Sequence, residues 1–329
     1  MALVAHFDLE LHQMDVKTMF VNGDIYETIY MMQPENFVSN ESKSMVITSY
    51  DFEANVVDDC VYYKISGSKY IFLVLYVDDI LLASSDTNLL HETKRFLTKN
   101  FEMKDLGEAS FVLDIQILRD CSQGILRLSQ ENHINKILER IDMKDSKPGN
   151  TLIAKANKYS LKQCSNNDLE RNEMQNIPYA SVVRSLIYTQ VYTRPDITFV
   201  VGVLDKYLSD PRMQHWKAVK HVMCYLRRTK GHMLTYQKPE DLEIIRYSDS
   251  NFARCQDSKR STSGYIYMLT GGAISWKFVK QTLIAPSTMV VNGIKRPLTI
   301  YCDNNSAVLY SNNNRSFTKS KFIDIKFLK

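Results

Sequence analysis

The stretch Tyr70–Ala83 constrains this chain most. Eight apolar or aromatic residues, YIFLVLYV, lead into Asp78 and Asp79, and ILLA follows at once. The β-branched and aromatic content predicts strands, and two apolar arms around a two-residue polar break predict a β-hairpin with the acids at its tip. The run is far too short to span a bilayer, so no membrane partner is expected. Adjacent carboxylates repel one another and are costly to desolvate, and divalent cations offset that cost. A bare Asp-Asp between strands is more often a solvated acidic turn, so the pair assigns no chemistry without its flanks.

Around this hairpin the chain alternates strand and helix patterns. A helix is expected after Asp86, a fair N-cap, with Leu90, Leu97 and Phe101 on one face. A strand over 111–117 carries Phe111, Leu113, Ile115 and Ile117 on one side. Gly124 turns it into Ile125–Leu128, and Ser129 caps a helix bearing Ile134, Ile137, Leu138 and Ile141. Residues 144–178 are polar and read as a linker. Three helical patterns follow, over 180–192, from Pro195 to Leu208, and through Trp216–Leu226 with a basic last turn and a glycine stop at Gly231. Strands return at 243–248, 263–269, 273–276 and 298–302. The fold class expected is α+β: residues 1–143 as one domain, 144–240 as a linker and helical connection, and 241–329 as a mixed α/β domain.

Composition narrows the function classes. Of 329 residues, 44% are hydrophobic and 24% charged, close to a globular average, which excludes disorder as the main state. Met1–Leu11 carries Asp8 and Glu10 and is not read as a signal peptide. Six scattered cysteines with no CxxC spacing point to reduced thiols in an intracellular setting. Forty-one basic against 37 acidic residues, a net of +4, fit a mixed solvated surface as well as a nucleic-acid partner. No Gly-rich phosphate loop, Ser-His-Asp arrangement or HExxH is present. His215, His221 and Cys224 share a helical stretch, but no second pair completes a zinc site, and packing is the better reading. Arg227, Arg228 and Lys230 suit a phosphate backbone or a solvated helix end equally.

The flanks of the acidic pair bring in a family. Tyr76–Asp79, with its apolar neighbours, resembles the YVDD box of reverse transcriptases. Leu11–Asp24 and Ile29–Phe37 resemble the other catalytic strand of copia-type retrotransposon Pol polyproteins. Lys104–Gly107, Thr193–Asp196, Tyr247–Asn251, Ser261–Gly264, Ile274–Lys277 and Tyr301–Asn304 are similar to the same polyproteins in the same order. The resemblance implies a partial reverse transcriptase palm and thumb over 1–143 and a ribonuclease H-like domain over 241–329. It implies that Asp15, Asp78 and Asp79 hold Mg²⁺ or Mn²⁺, and that Phe20 stacks under the sugar of the incoming nucleotide, although a core phenylalanine would look the same. In the second domain it implies metal-binding acids at Asp249 and Asp303, each closing a strand, with Asp324 as a further catalytic acid. The partners implied are RNA template, DNA primer and RNA–DNA hybrid.

The chain departs from that family in ways that bear on activity. The block between Phe37 and Ile47 that carries YGLKQ-x-x-RQW is missing, and the chain begins just before Asp15, where the family carries its fingers. Ser287–Val290 jumps to Val291–Ile294 without the S-T-x-E-A-E-Y helix and its glutamate. Phe322 stands in place of His and Asn251 in place of Asp. Glycine is scarce, eleven in 329 against a usual share of about 7%. Asp51, Asp114, Arg184 and Arg254 stand where the family usually has Gly. Asp114 is expected to add a charge to a strand and Arg184 to thicken a closely packed helix face. The junctions near 40–50 and 286–296 are expected to be the least ordered. The reading is a degenerate, catalytically impaired copy; its rivals are a non-catalytic nucleic-acid-binding or interaction protein and a relic without function.

Overall fold

The computed structural model describes residues 1–16, 47–76, 79–101, 103–144, 168–238, 242–251, 262–280 and 298–302. The chain divides into two compact units that meet between Val112 and Leu113, Ala2 alone grouping with the second. Both contain strands and helices, so the protein is of mixed α/β type.

In the first unit, helix α1 (Ala2–Phe7) precedes strand β1 (Glu10–Val16). Strands β2 (Glu53–Ala54), β3 (Val61–Ser66), β4 (Lys69–Tyr76) and β5 (Asp79–Ser84) follow. Helix α2 (Thr87–Asn100), β6 (Met103–Glu108) and the short β7 (Phe111–Val112) complete it. Six of the strands form an antiparallel sheet in the order β2-β3-β4-β5-β1-β6. The expected hairpin is present: β4 pairs with β5 from Ile71↔Ser84 to Tyr76↔Asp79. Strand alternation puts Met14, Ile71, Leu73, Ile80 and Leu82 on one face, where they pack with Leu89, Leu90 and Leu97 of α2. Asp86 caps α2 as expected, its Oδ1 accepting the Leu89 N–H at 2.9 Å.

The second unit begins with β8 (Ile115–Asp120) and β9 (Ile125–Ser129), joined at Gly124 with φ 64°. Helices α3 (Glu131–Arg140), α4 (Asp168–Gln175), α5 (Tyr179–Tyr192), α6 (Thr198–Leu204) and α7 (Met213–Arg228) come next. One core joins Ile134, Ile137 and Leu138 to Val182, Leu186, Val201, Leu204, Val219 and Met223. Strand β10 (Leu234–Gln237) then pairs with β9. Strands β11 (Ile244–Asn251), β12 (Thr262–Leu269), β13 (Gly272–Lys280) and β14 (Leu298–Cys302) form a separate sheet in the order β13-β12-β11-β14, in which β14 alone runs parallel to its neighbour.

Several expectations need correction. The strand over 111–117 is broken: Leu113 and Asp114 take left-handed φ values of 53° and 55°, so Asp114 lies in a turn. There its carboxylate pairs with Lys136 at 2.8 Å and lies 3.7 Å from His133. Arg184 is exposed and thickens no packed face. The polar stretch 144–178 contains helix α4. Gln130, not Ser129, is the N-cap of α3, although Ser129 Oγ accepts the Glu131 N–H at 3.2 Å. Helix α7 ends at Thr229 rather than at Gly231. Of the first junction, Ile47 and Tyr50 are packed and Thr48 and Ser49 exposed: Ile47 is 2% exposed, and Tyr50 stacks on Phe96 with ring centroids 4.0 Å apart. Residues 40–46 and the second junction lie outside the described residues, as does Arg254.

Candidate active site

Strand β1 lies between β5 and β6, and its register brings Asp15 directly opposite Asp79. Facing residues of an antiparallel pair point to the same side, with Cα atoms about 4.5–5.5 Å apart. Alternation along β1 sends Leu11, Gln13 and Asp15 to one side and His12 and Met14 to the side covered by α2. The two carboxylates therefore share the face away from α2, and both are half-buried. Gln13, 8% exposed, donates from Nε2 to Asp79 Oδ1 at 2.7 Å. Among the described residues no lysine, arginine or histidine pairs with either acid.

Lys104 on β6 stands opposite Asp15 without an ion pair to either acid. Two like charges held side by side suit a divalent ion, and an all-oxygen donor set suits Mg²⁺ or Mn²⁺. Among the described residues no three His, Cys, Asp or Glu side chains converge into a complete metal centre. Asp78 and Phe20 lie outside the described residues.

On the opposite face, β1 is tied to α2 by a charged cluster that sequence reasoning missed. Lys94, on the apolar stripe of α2 between Leu90 and Leu97, is buried. Its Nζ donates to Asp105 Oδ1 and Oδ2 at 2.8 and 2.9 Å. It also lies 2.7 Å from His12 Nδ1; since an ammonium only donates, that ring nitrogen accepts. Burial and then the Lys94 charge push the His12 pKa below its ordinary value. Burial opposes ionisation of Asp105, but Lys94 and the Gly107 N–H outweigh it and hold the carboxyl below the usual range. A lysine on an otherwise apolar helical stripe was the available signal.

In the second unit, Asp249 lies within β11 opposite Gly264 and does not close the strand, which runs on to Asn251. Ser248 partners Cys302 across the parallel β11–β14 pair. Asp303 and Asp324 lie outside the described residues. His215 is a packing residue: its Nδ1 accepts the Arg212 N–H at 3.0 Å and its ring stacks on Tyr207 at 3.9 Å. His221 is exposed. Lys230 pairs with Glu131 at 3.2 Å.

Residues 39–155 match the reverse transcriptase (RNA-dependent DNA polymerase) family. The retrovirus-related Pol polyprotein from transposon TNT 1-94 of Nicotiana tabacum is 35% identical over 99% of this chain and 28% of its own length. That from transposon RE1 of Arabidopsis thaliana is 29% identical over 96% of this chain and 24% of its own length. An uncharacterized mitochondrial protein of Arabidopsis thaliana is 32% identical over 66% of this chain and 87% of its own length. The chain thus spans about a quarter of the length of these two polyproteins. The stretch aligned with the Nicotiana tabacum polyprotein, 374 residues, exceeds the whole 329-residue chain by 45, so internal residues of that relative have no counterpart here. No solved structure matches the chain. The chain belongs to the family of copia-type retrotransposon Pol polyproteins.

Proposed function

We propose that this chain is a remnant of a retrotransposon RNA-directed DNA polymerase with a ribonuclease H-like second part, and that it keeps a metal-binding palm but no longer copies a template. The observation that carries the first half is the facing pair Asp15 and Asp79 on one side of the sheet, neither of them ion-paired among the described residues. In this reading Asp15, Asp78 and Asp79 hold Mg²⁺ or Mn²⁺. Held there, an ion would supply Lewis acidity toward a primer 3′-hydroxyl and offset triphosphate charge. The protein itself contributes position: strand pairing sets the separation of the acids, and Gln13 orients Asp79.

The second half rests on the internal residues that the relatives carry and this chain lacks. The missing block between Phe37 and Ile47 would contact the incoming nucleotide and the template base. Acids alone then bind an ion without aligning the two substrates. In the second unit, parallel pairing of β11 with β14 supports a shared site for Asp249 and Asp303, since each directly follows one member of the Ser248↔Cys302 pair. Loss of the glutamate-bearing helix, with Phe322 and Asn251 in place of ligand-competent residues, supports an impaired nuclease. An intracellular setting belongs to the same proposal, as Cys60 and Cys121 are exposed free thiols.

The test is primer extension on poly(rA)/oligo(dT) with Mg²⁺ or Mn²⁺, beside filter binding of an RNA–DNA hybrid across a salt series. No extension is expected, and extension abolished by Asp78→Asn overturns the proposal. A steep salt slope in binding favours a nucleic-acid-binding remnant, and no binding favours a relic.

A further inference from the structure

We infer that Gln13 is a positioning residue that orients Asp79 toward a divalent cation. The inference rests on reading Asp15 and Asp79 as metal-holding acids. Gln13 lies two residues before Asp15 on β1 and on the same side of the strand. From there its amide reaches diagonally to the next strand and donates to Asp79 Oδ1 at 2.7 Å. Its direct partner on β5 is Leu81, and its partner on β6 is Gly107, which offers no side chain to compete for the amide. The β1–β6 register shifts between Gln13 and Met14. Such irregularities re-aim side chains beside working sites.

The chemistry of the donor matters. The terminal torsion of an aspartate is broad, so an unheld carboxylate samples many orientations. One hydrogen bond on Oδ1 fixes the plane of the group and leaves Oδ2 to face an ion. An amide does this without charge. A lysine or arginine in its place would neutralise Asp79 and compete with the cation. A neutral donor instead eases the repulsion between Asp79 and Asp15 while leaving their combined charge of −2 in place. Burial of Gln13, at 8% exposure, restricts the amide to this role, since little water reaches it. Outer partners of this kind are worth about 10–100-fold in metal affinity.

The experiment titrates the full chain with Mn²⁺, following free Mn²⁺ by electron paramagnetic resonance, in a background of Asp249→Asn, Asp303→Asn and Asp324→Asn that silences the candidate acids of the second unit. Asp15→Asn should abolish binding. If it does not, or if the background chain binds no Mn²⁺, the reading of the metal acids fails and the inference falls with it. Given that site, Gln13→Met should weaken Mn²⁺ about tenfold, and Gln13→Asn, which keeps the amide but shortens its reach, should do the same if the methionine variant fails to fold. Gln13→Lys should remove Mn²⁺ binding by competition. Unchanged Mn²⁺ affinity in the folded variants, with only a lower thermal midpoint in metal-free buffer, is the signature of a purely structural glutamine and overturns the inference.

Discussion

Arg194 and Asp196 are joined by two parallel hydrogen bonds, Nε to Oδ1 at 2.9 Å and Nη2 to Oδ2 at 2.7 Å. The same guanidinium closes helix α7: Nη1 donates to the Thr229 carbonyl at 3.1 Å and Nη2 to Thr229 Oγ1 at 2.7 Å. Tyr225 on that helix donates to Asp196 Oδ2 at 2.8 Å. A helix end leaves its last carbonyls without intrahelical partners and carries partial negative charge, so a buried guanidinium there satisfies both. The Thr193–Asp196 motif, which marks the family in sequence, is in physical terms a clamp on α7.

Truncating that clamp should be severe. Arg194 is 3% exposed, and Arg194→Met would strand the Thr229 carbonyl while Asp196 keeps the Tyr225 hydroxyl. The expected loss is about 1–3 kcal/mol, the range for leaving a buried acceptor unsatisfied, since Asp196 itself reaches solvent. Asp196→Asn keeps the shape and should cost about 1–2 kcal/mol. Urea unfolding of the two variants and of their combination measures this; a loss under about 1 kcal/mol for Arg194→Met would mean the pair acts as a surface ion pair.

The pH dependence of stability follows from the same groups. Burial works against ionisation of Asp196, but Arg194 and Tyr225 outweigh it, so its folded pKa lies below the ordinary value. Asp105 behaves alike. Their contribution is present above about pH 3.9, the ordinary carboxylate value, and is lost as pH falls through the folded pKa. Burial lowers the pKa of His12 and His133, so the fold favours their neutral forms. That contribution is present above about pH 6.5 and declines as pH falls below it. Burial also lowers the Met1 amino group from 8.0 to about 6, so urea midpoints should be flat only above about pH 8 and fall in three windows, from about 8 to 6, below about 6.5 and below about 3.9. A protein more stable at pH 5 than at pH 7.5 contradicts this assignment.

What the sequence made legible was local. The hairpin was readable because β4 and β5 adjoin in sequence and their apolar arms flank a two-residue break. Helix α3 was readable because Ile134, Ile137 and Leu138 keep helical spacing. The break at Leu113–Asp114 was not, since apolar alternation continues from Phe111 through Ile117 while the backbone turns. Helix α4 was missed because DLERNEMQ is nearly all polar. The support of the candidate site was hidden for another reason. Gln13 meets Asp79 across 66 positions and Lys94 meets His12 across 82, and only the insertion of β1 between β5 and β6 creates those contacts.

Two of the substituted glycines can be ranked by geometry. Asp51 and Asp114 both hold left-handed φ, 60° and 55°, where a side chain costs about 1 kcal/mol. Asp51 is 89% exposed, and its Lys64 contact at 3.6 Å is worth little. Asp51→Gly should therefore stabilise by about 0.5–1 kcal/mol. Asp114 has the Lys136 and His133 contacts to lose, so Asp114→Gly should be close to neutral. Thermal denaturation of both variants decides it; equal gains at the two sites would show that the ion pair at Asp114 contributes nothing.

The segment at the first internal junction should behave as core. Ile47 and Phe52 are 2% and 3% exposed among the side chains that also bury Leu90 and Leu97, and Tyr50 stacks nearly flat on Phe96. Lys64 lies 3.8 Å over the Tyr50 ring and donates to its carbonyl at 2.9 Å, which pins the segment from the β3 side. If the missing family block had left a loose seam here, these side chains would be replaceable. Because they are packed, Ile47→Ala should cost about 2–4 kcal/mol and Tyr50→Ala, on a half-buried ring, about 1–2 kcal/mol. The two costs should be partly non-additive, as both residues serve one patch. Chemical denaturation of the single and double variants measures this. A cost under about 0.5 kcal/mol for Ile47→Ala, the level of an ordinary surface substitution, would mean that the segment rests on the sheet without stabilising it.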